Sequence, residues 1–164
     1  MLFRSLVLGG SGFVGRHVCA ALSQQGHRIT VPTRRLPARS VQMVPGVEVV
    51  QADVHDPAQL ASLVRGHDAV VHLVAILHGN EASFERVHVQ LVRHLVDACQ
   101  QAGVHRLVHI SALGADAHTA SMYQRSKALG EKVLQAAAEA GNLDRKSTRL
   151  NSSHSQQSRM PSSA

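Results

Sequence analysis

The sequence predicts an α/β domain built on a doubly wound parallel sheet, and three observations predict it. Short apolar runs rich in Val, Leu and Ile alternate along the chain with stretches of helical period. The first run is apolar on both faces, as a strand covered by helices on either side must be. A cluster of glycines then joins that run to the first helical stretch. Aromatic residues make up only 2% of the chain, so the core has to be aliphatic.

The elements follow in order. Residues 2–8 form a short strand that ends in Gly9 and Gly10. Residues 13–25 carry Phe13, Val14, His17, Val18, Ala21 and Leu22 at helical spacing, and Gly26 stops the helix. Residues 28–31 and 47–51 read as the second and third strands. Asp56 can cap a helix running to Val64, and Pro57 suits its first position. Residues 69–73 form the fourth strand, and residues 81–102 one long helix ended by Gly103. Residues 106–110 form the fifth strand, and residues 121–140 a last helix ended by Gly141. Right-handed crossovers place helices on both faces of such a sheet. There is no internal repeat and no interdomain linker. A sixth strand is expected where the chain reaches Leu143. The expectation is therefore one domain over residues 1–143, truncated after the fifth strand and its helix, without the later loops that complete the crevice.

Residues 144–164 lack apolar periodicity and are rich in serine, the composition of a disordered segment. Residues 144–154 and 158–164 resemble the in-frame translation of a sequencing adapter. Ser155-Gln156-Gln157 falls where a sample index would sit. The segment is expected to be a non-native artefact and is set aside from fold reasoning. Its four cations against Asp144 account for +3 of the chain's net +6, which leaves +3 for the rest. Nucleic-acid binding thereby loses its main support. No apolar run approaches the roughly 18 to 20 residues that span a bilayer, and the first residues lack the features of a signal peptide. The expected location is cytoplasmic, with a peripheral place at an inner membrane left open. Cys19 and Cys99 are far apart and read as buried thiols. Eleven of the 12 histidines precede residue 144, but they are scattered, with no H-E-x-x-H and no mixed His/Cys cluster, so no metal site is expected.

The chemistry concentrates at two motifs. Residues 9–15 read GGSGFVG, and the triplet Gly9, Gly12 and Gly15 sits between a strand and a helix. Gly9 suits a tight turn, Gly12 a close approach of a pyrophosphate, and Gly15 close packing of the helix on the sheet. The backbone around Ser11, Phe13 and Val14 then faces the phosphates, at the positive end of the helix dipole. After the second strand, an acid would bond the ribose hydroxyls of NAD. Arg34 and Arg35 stand there instead, and guanidinium groups can pair with a 2′-phosphate, which favours NADP(H) over NAD(H). Asp53 and Val54, after the third strand, are placed to meet the adenine. Val74 and Ala75, after the fourth, can line the dinucleotide.

Tyr123-Gln124-Arg125-Ser126-Lys127 is a Y-x-x-x-K motif near the start of the last helix, with the two side chains one turn apart. An ammonium near a phenol favours phenolate and lowers its pKa from about 10. Tyr123 is then a candidate general acid or base, with Lys127 supporting it and bonding a ribose. Ser111, at the end of the fifth strand, is a third catalytic candidate. Ala112 and Leu113 follow it where a second hydroxyl is expected.

Together, GGSGFVG, Asp53, HLVAILHG, HISALGAD and YQRSK resemble the short-chain dehydrogenase/reductase superfamily in its extended or atypical form, which includes the NAD-dependent epimerases/dehydratases. VPTRR, ADVHD, SFERVHV and MYQRSKALGE are similar to bacterial homologues of the nucleotide-binding accessory subunit of respiratory complex I. The resemblance covers residues 2–143. It implies a Rossmann fold, bound NADP(H), protein partners within a membrane-associated complex, and a role for the nucleotide in structure or assembly. It also implies a retained Tyr and Lys without the full catalytic set. An active NADP-dependent oxidoreductase or nucleotide-sugar epimerase/dehydratase using Tyr123 and Lys127 is the alternative.

Overall fold

The computed structural model describes residues 2–144, and the segment read as an adapter translation lies outside them apart from Asp144. Five strands form one all-parallel sheet: β1 (Arg4–Leu8), β2 (Arg28–Thr33), β3 (Val47–Gln51), β4 (Ala69–His72) and β5 (Arg106–His109). Their order is β3-β2-β1-β4-β5, the expected doubly wound arrangement. The chain leaves β1 in one direction across the sheet and reaches β4 on its other side, so a crevice opens beyond the carboxyl ends of β1 and β4. Leu8 and His72 are register partners at that edge.

The helices are α1 (Phe13–Gln24), α2 (Arg39–Gln42), α3 (Pro57–Val64), α4 (Glu81–Glu85), α5 (Leu91–Ala102) and α6 (Met122–Glu139). Each sheet face has its own core. On one, Leu6, Leu8 and Val70 pack with Leu60, Leu95 and Leu134 from α3, α5 and α6. On the other, Val7, Ile29 and Val31 pack with Cys19 of α1 and Val41 of α2. Full burial of each such side chain is worth about 1.5–3 kcal/mol. Both cysteines are free and buried, and burial raises their thiols to about 11 for Cys19 and about 12 for Cys99.

Asp56 caps α3 as read from the sequence, accepting from Ala58 N–H at 2.9 Å. Three differences from the sequence reading have physical causes. The short α2 falls in a stretch with too few residues to show a period. β2 runs on through Pro32, which lies past the end of the β1 pairing and so removes no ladder bond to that strand. The predicted helix over residues 81–102 is continuous but not uniform. Residues Arg86–Gln90 form a π turn, closed by Leu91 N–H donating to Arg86 C=O. No helix among the described residues is long and apolar enough to cross a membrane.

Candidate dinucleotide site

The turn after β1 is built around its glycines. Gly9 has φ +80°, a backbone conformation that disfavours any side chain, and a Cβ there would lie 3.2 Å from Val74 N. The turn is thereby held against the loop that leaves β4. A Cβ on Gly15 would run into the backbone of Gly9 and Gly10. The close packing that Gly15 permits is thus between α1 and the turn, where the sequence suggested α1 and the sheet. Gly12 differs: a Cβ would meet only Gly9 O, at 3.2 Å. As the N-cap of α1 it also offers no side chain to the first helical N–H groups. A glycine too tightly placed for a side chain, uncapped donors and a helix dipole are what a pyrophosphate requires.

Phe13 and Val14 follow with side chains 75% and 53% exposed. Their share in the turn is backbone, since Phe13's ring is engaged on the surface with Arg16, whose guanidinium lies 5.0 Å from its centroid.

A cleft of about 400 Å³ opens beside this turn. Gly9 and Ser11 form one wall, Arg34 and Arg35 another, and Val54 and Val74 border it. Four separated segments of the sequence therefore meet at this cleft. Ser11 is also held from outside, its C=O accepting from Ser40 Oγ at 2.9 Å. Asp53 is engaged locally. Its carboxylate accepts from His55 N–H at 3.0 Å, and its own N–H donates to Gln59 Oε1 at 3.0 Å. This shapes the turn after β3 and presents Val54 to the cleft. Ala75 is exposed in the loop after β4.

At the carboxyl ends of β4 and β5 the character changes. Lys127 is only 2% exposed, and its Nζ donates to Ile110 C=O at 2.8 Å. Burial lowers its pKa to about 8, with Glu131 acting in the opposite direction. Ser111 Oγ is buried with no hydrogen-bond partner among the described residues. A free buried hydroxyl beside Ile110 is suited to a polar group brought in by a ligand. Tyr123 is half-buried at the start of α6, whose cap is Ser121, accepting from Gln124 N–H.

Sequence reasoning missed the histidines around this lysine. His72 and His109 are register partners on β4 and β5. Both are buried, their rings nearly parallel at 11° with centroids 4.9 Å apart, meeting edge to edge with Nδ1 to Nδ1 at 2.7 Å. One Nδ1 carries the proton and the other accepts it, so while both rings are neutral they are of opposite tautomer. Neither Nε2 has a partner among the described residues. Burial depresses both, His109 to about 3 and His72 well below the usual range, and Lys127 adds to the effect. The available signal was a histidine at the same place in two short apolar runs, AVVH and RLVH. Among the described residues no group of three or more His, Cys, Asp or Glu is arranged to hold a metal ion.

Residues 5–162 match the family described as the NAD dependent epimerase/dehydratase family. Ceramide reductase from Caulobacter vibrioides is 33% identical over 132 residues, which cover 80% of this chain and 41% of that protein. NADH dehydrogenase (ubiquinone) 1 alpha subcomplex subunit 9, a mitochondrial protein of Mus musculus, is 29% identical over 79% of this chain and 36% of its own length. A solved short-chain dehydrogenase/reductase superfamily protein from Agrobacterium tumefaciens, with bound NAD, superposes with a TM-score of 0.70 at 30% identity, over 85% of this chain and 46% of that one. The chain spans less than half the length of each.

Proposed function

The chain belongs to the NAD dependent epimerase/dehydratase family, and from that premise we propose that it is the nucleotide-holding part of a longer protein and binds NADP(H) in preference to NAD(H). The observation that carries this reading is the cleft in which Arg34 and Arg35 stand beside the glycine turn. Gly9, Ser11, Gly12 and Gly15, with the backbone of Phe13 and Val14, take the pyrophosphate. Arg34 and Arg35 take the 2′-phosphate. Asp53 and Val54 flank the adenine, and Val74 and Ala75 border the dinucleotide. Calorimetry on the chain tests this. NADPH is expected to bind at least about tenfold more tightly than NADH, and Arg34→Ala to remove most of that ratio, because one charge-assisted contact is worth roughly the 1.4 kcal/mol of a tenfold change. Equal affinities in the wild-type chain overturn the reading.

The role is that of a nucleotide-binding structural or assembly subunit working beside other protein subunits, as the name of the mouse relative suggests. Ala112 and Leu113, where a second hydroxyl would follow Ser111, support a role without turnover. The second reading is turnover as an oxidoreductase or epimerase, and the partnerless Ser111 Oγ beside the Lys127 anchor favours it. A bound nicotinamide supplies or accepts hydride in such chemistry. Tyr123 would hold or give a proton at its hydroxyl, Ser111 would orient a substrate oxygen, and Lys127 would keep two N–H groups for a ribose and the phenol.

A further inference from the structure

His88 lies in the π turn between α4 and α5, 1% exposed, and both of its ring nitrogens are in use. Ser126 Oγ gives its single proton to Tyr123 C=O at 2.8 Å. The contact between His88 Nδ1 and Ser126 Oγ, also 2.8 Å, must therefore run from the imidazole to the hydroxyl, so Nδ1 carries the proton. Nε2 is then a lone pair, and Ile76 N–H donates to it at 3.1 Å. These bonds form a closed line from the loop after β4, through the imidazole and Ser126, to the backbone of Tyr123. The His88 ring also meets the Tyr123 ring edge to face, with centroids 5.5 Å apart at 79°. Phe84 packs against the same tyrosine at 6.3 Å. Two turns along α6 from Tyr123, a Cβ on Gly130 would run into His88 C=O, so the helix is seated on this residue's backbone as well.

We propose that His88 is a positioning residue that fixes the Tyr123 ring and the start of α6 against the loop bordering the nicotinamide side of the cleft. The inference rests on the reading of the crevice as a nucleotide site, with Tyr123 on its nicotinamide side. It assigns the π turn a task, since the turn is what delivers the imidazole to two other segments at once, the loop after β4 and the start of α6. Neutrality belongs to the same design. Burial and the nearby Lys127 hold the imidazole down to about 4, so at neutral pH it keeps the one donor and one acceptor that the line of bonds needs.

The chain has one tyrosine and no tryptophan, so its tyrosine emission reports Tyr123 alone. The experiment measures emission anisotropy in the chain without nucleotide, for wild type, H88F, S126A and H88Q, with circular dichroism to verify the fold. H88F keeps a ring but loses both nitrogens, and its anisotropy is expected to fall about twofold as the phenol gains nanosecond motion. S126A is expected to fall in the same direction, and H88Q, whose neutral head has a donor and an acceptor, to return most of the wild-type value. If H88F does not fold, S126A decides, because it removes a single oxygen. Wild-type anisotropy in H88F or S126A overturns the proposal, and so does an H88Q chain as loose as H88F. Calorimetry with NADPH and NADH is run separately. A wild-type chain that binds neither refutes the nucleotide reading while leaving the anisotropy comparison intact.

Discussion

The two ends of the crevice are built from different material. The glycine turn and its cleft are made of backbone, uncapped N–H groups and exposed guanidinium side chains. The other end is made of buried side chains: Lys127 on Ile110 C=O, His72 on His109, and His88 on Ser126 and Ile76. The first can receive a charged ligand with little rearrangement, because its donors already face open space. The second has settled most of its polar groups on one another and leaves only a few unsatisfied, Ser111 Oγ among them. One end of the crevice thus presents charge to solvent, and the other keeps its titratable groups where the surroundings hold charge in check.

The largest expected effect would break the first region from within. Gly15→Val forces side-chain atoms into the Gly9–Gly10 backbone, which cannot yield, and should cost roughly 3 kcal/mol or more along with all nucleotide binding. Gly12→Val is its milder counterpart, since a Cβ there meets one backbone oxygen, Gly9 O, at 3.2 Å rather than running into the turn. Thermal melting should fall by clearly less than in Gly15→Val, while calorimetry should lose dinucleotide binding. Two chains that melt alike would show that both glycines serve the same purpose.

Acid attacks the second region. His109 and His88 titrate at about 3 and about 4 in the fold, against an ordinary 6.5 when unfolded. As pH falls through 6.5 the unfolded chain takes up protons that the folded one refuses, so stability present above 6.5 is lost progressively down to 4 and below. The melting temperature should drop by on the order of 10 °C between pH 7 and pH 4. His109→Phe should flatten that slope, and a melting profile with the wild-type slope would place the acid sensitivity elsewhere. The smallest change lies outside both regions. Asp56→Ala removes the cap of α3 and should lower the denaturant midpoint slightly, with nucleotide affinity unchanged.

The backbone-made region was legible in the sequence because glycines and arginines announce their tasks by type and spacing. GGSGFVG between a strand and a helix needs a turn, and the Arg34-Arg35 pair follows the second strand wherever that strand ends. The buried region was legible only in part. Tyr123 and Lys127 were read from a four-residue interval, but the groups that hold them are Ile110 just after β5, Phe84 of α4 and His88 of the π turn. Nothing local links His72 to His109, which are joined by strand register, or His88 to Ser126, which are joined by helix packing. The π turn was invisible for a related reason: its extra residue alters a helical period by less than a short run of aliphatic residues can display.

That π turn also absorbs an angular offset. An α-helix advances by roughly 100° per residue, so an extra residue in a regular helix would rotate everything after Gln90 relative to everything before Arg86. Phe84 ahead of the turn and Leu91, Leu95 and Cys99 behind it are all buried. A chain lacking one residue between 86 and 90 would close into a regular helix with both flanking faces nearly where they are, whereas one further inserted residue would swing one of those faces by roughly 100°. The turn therefore acts as a local splice: it carries one extra residue, presents His88 there, and leaves the buried positions on either side in place.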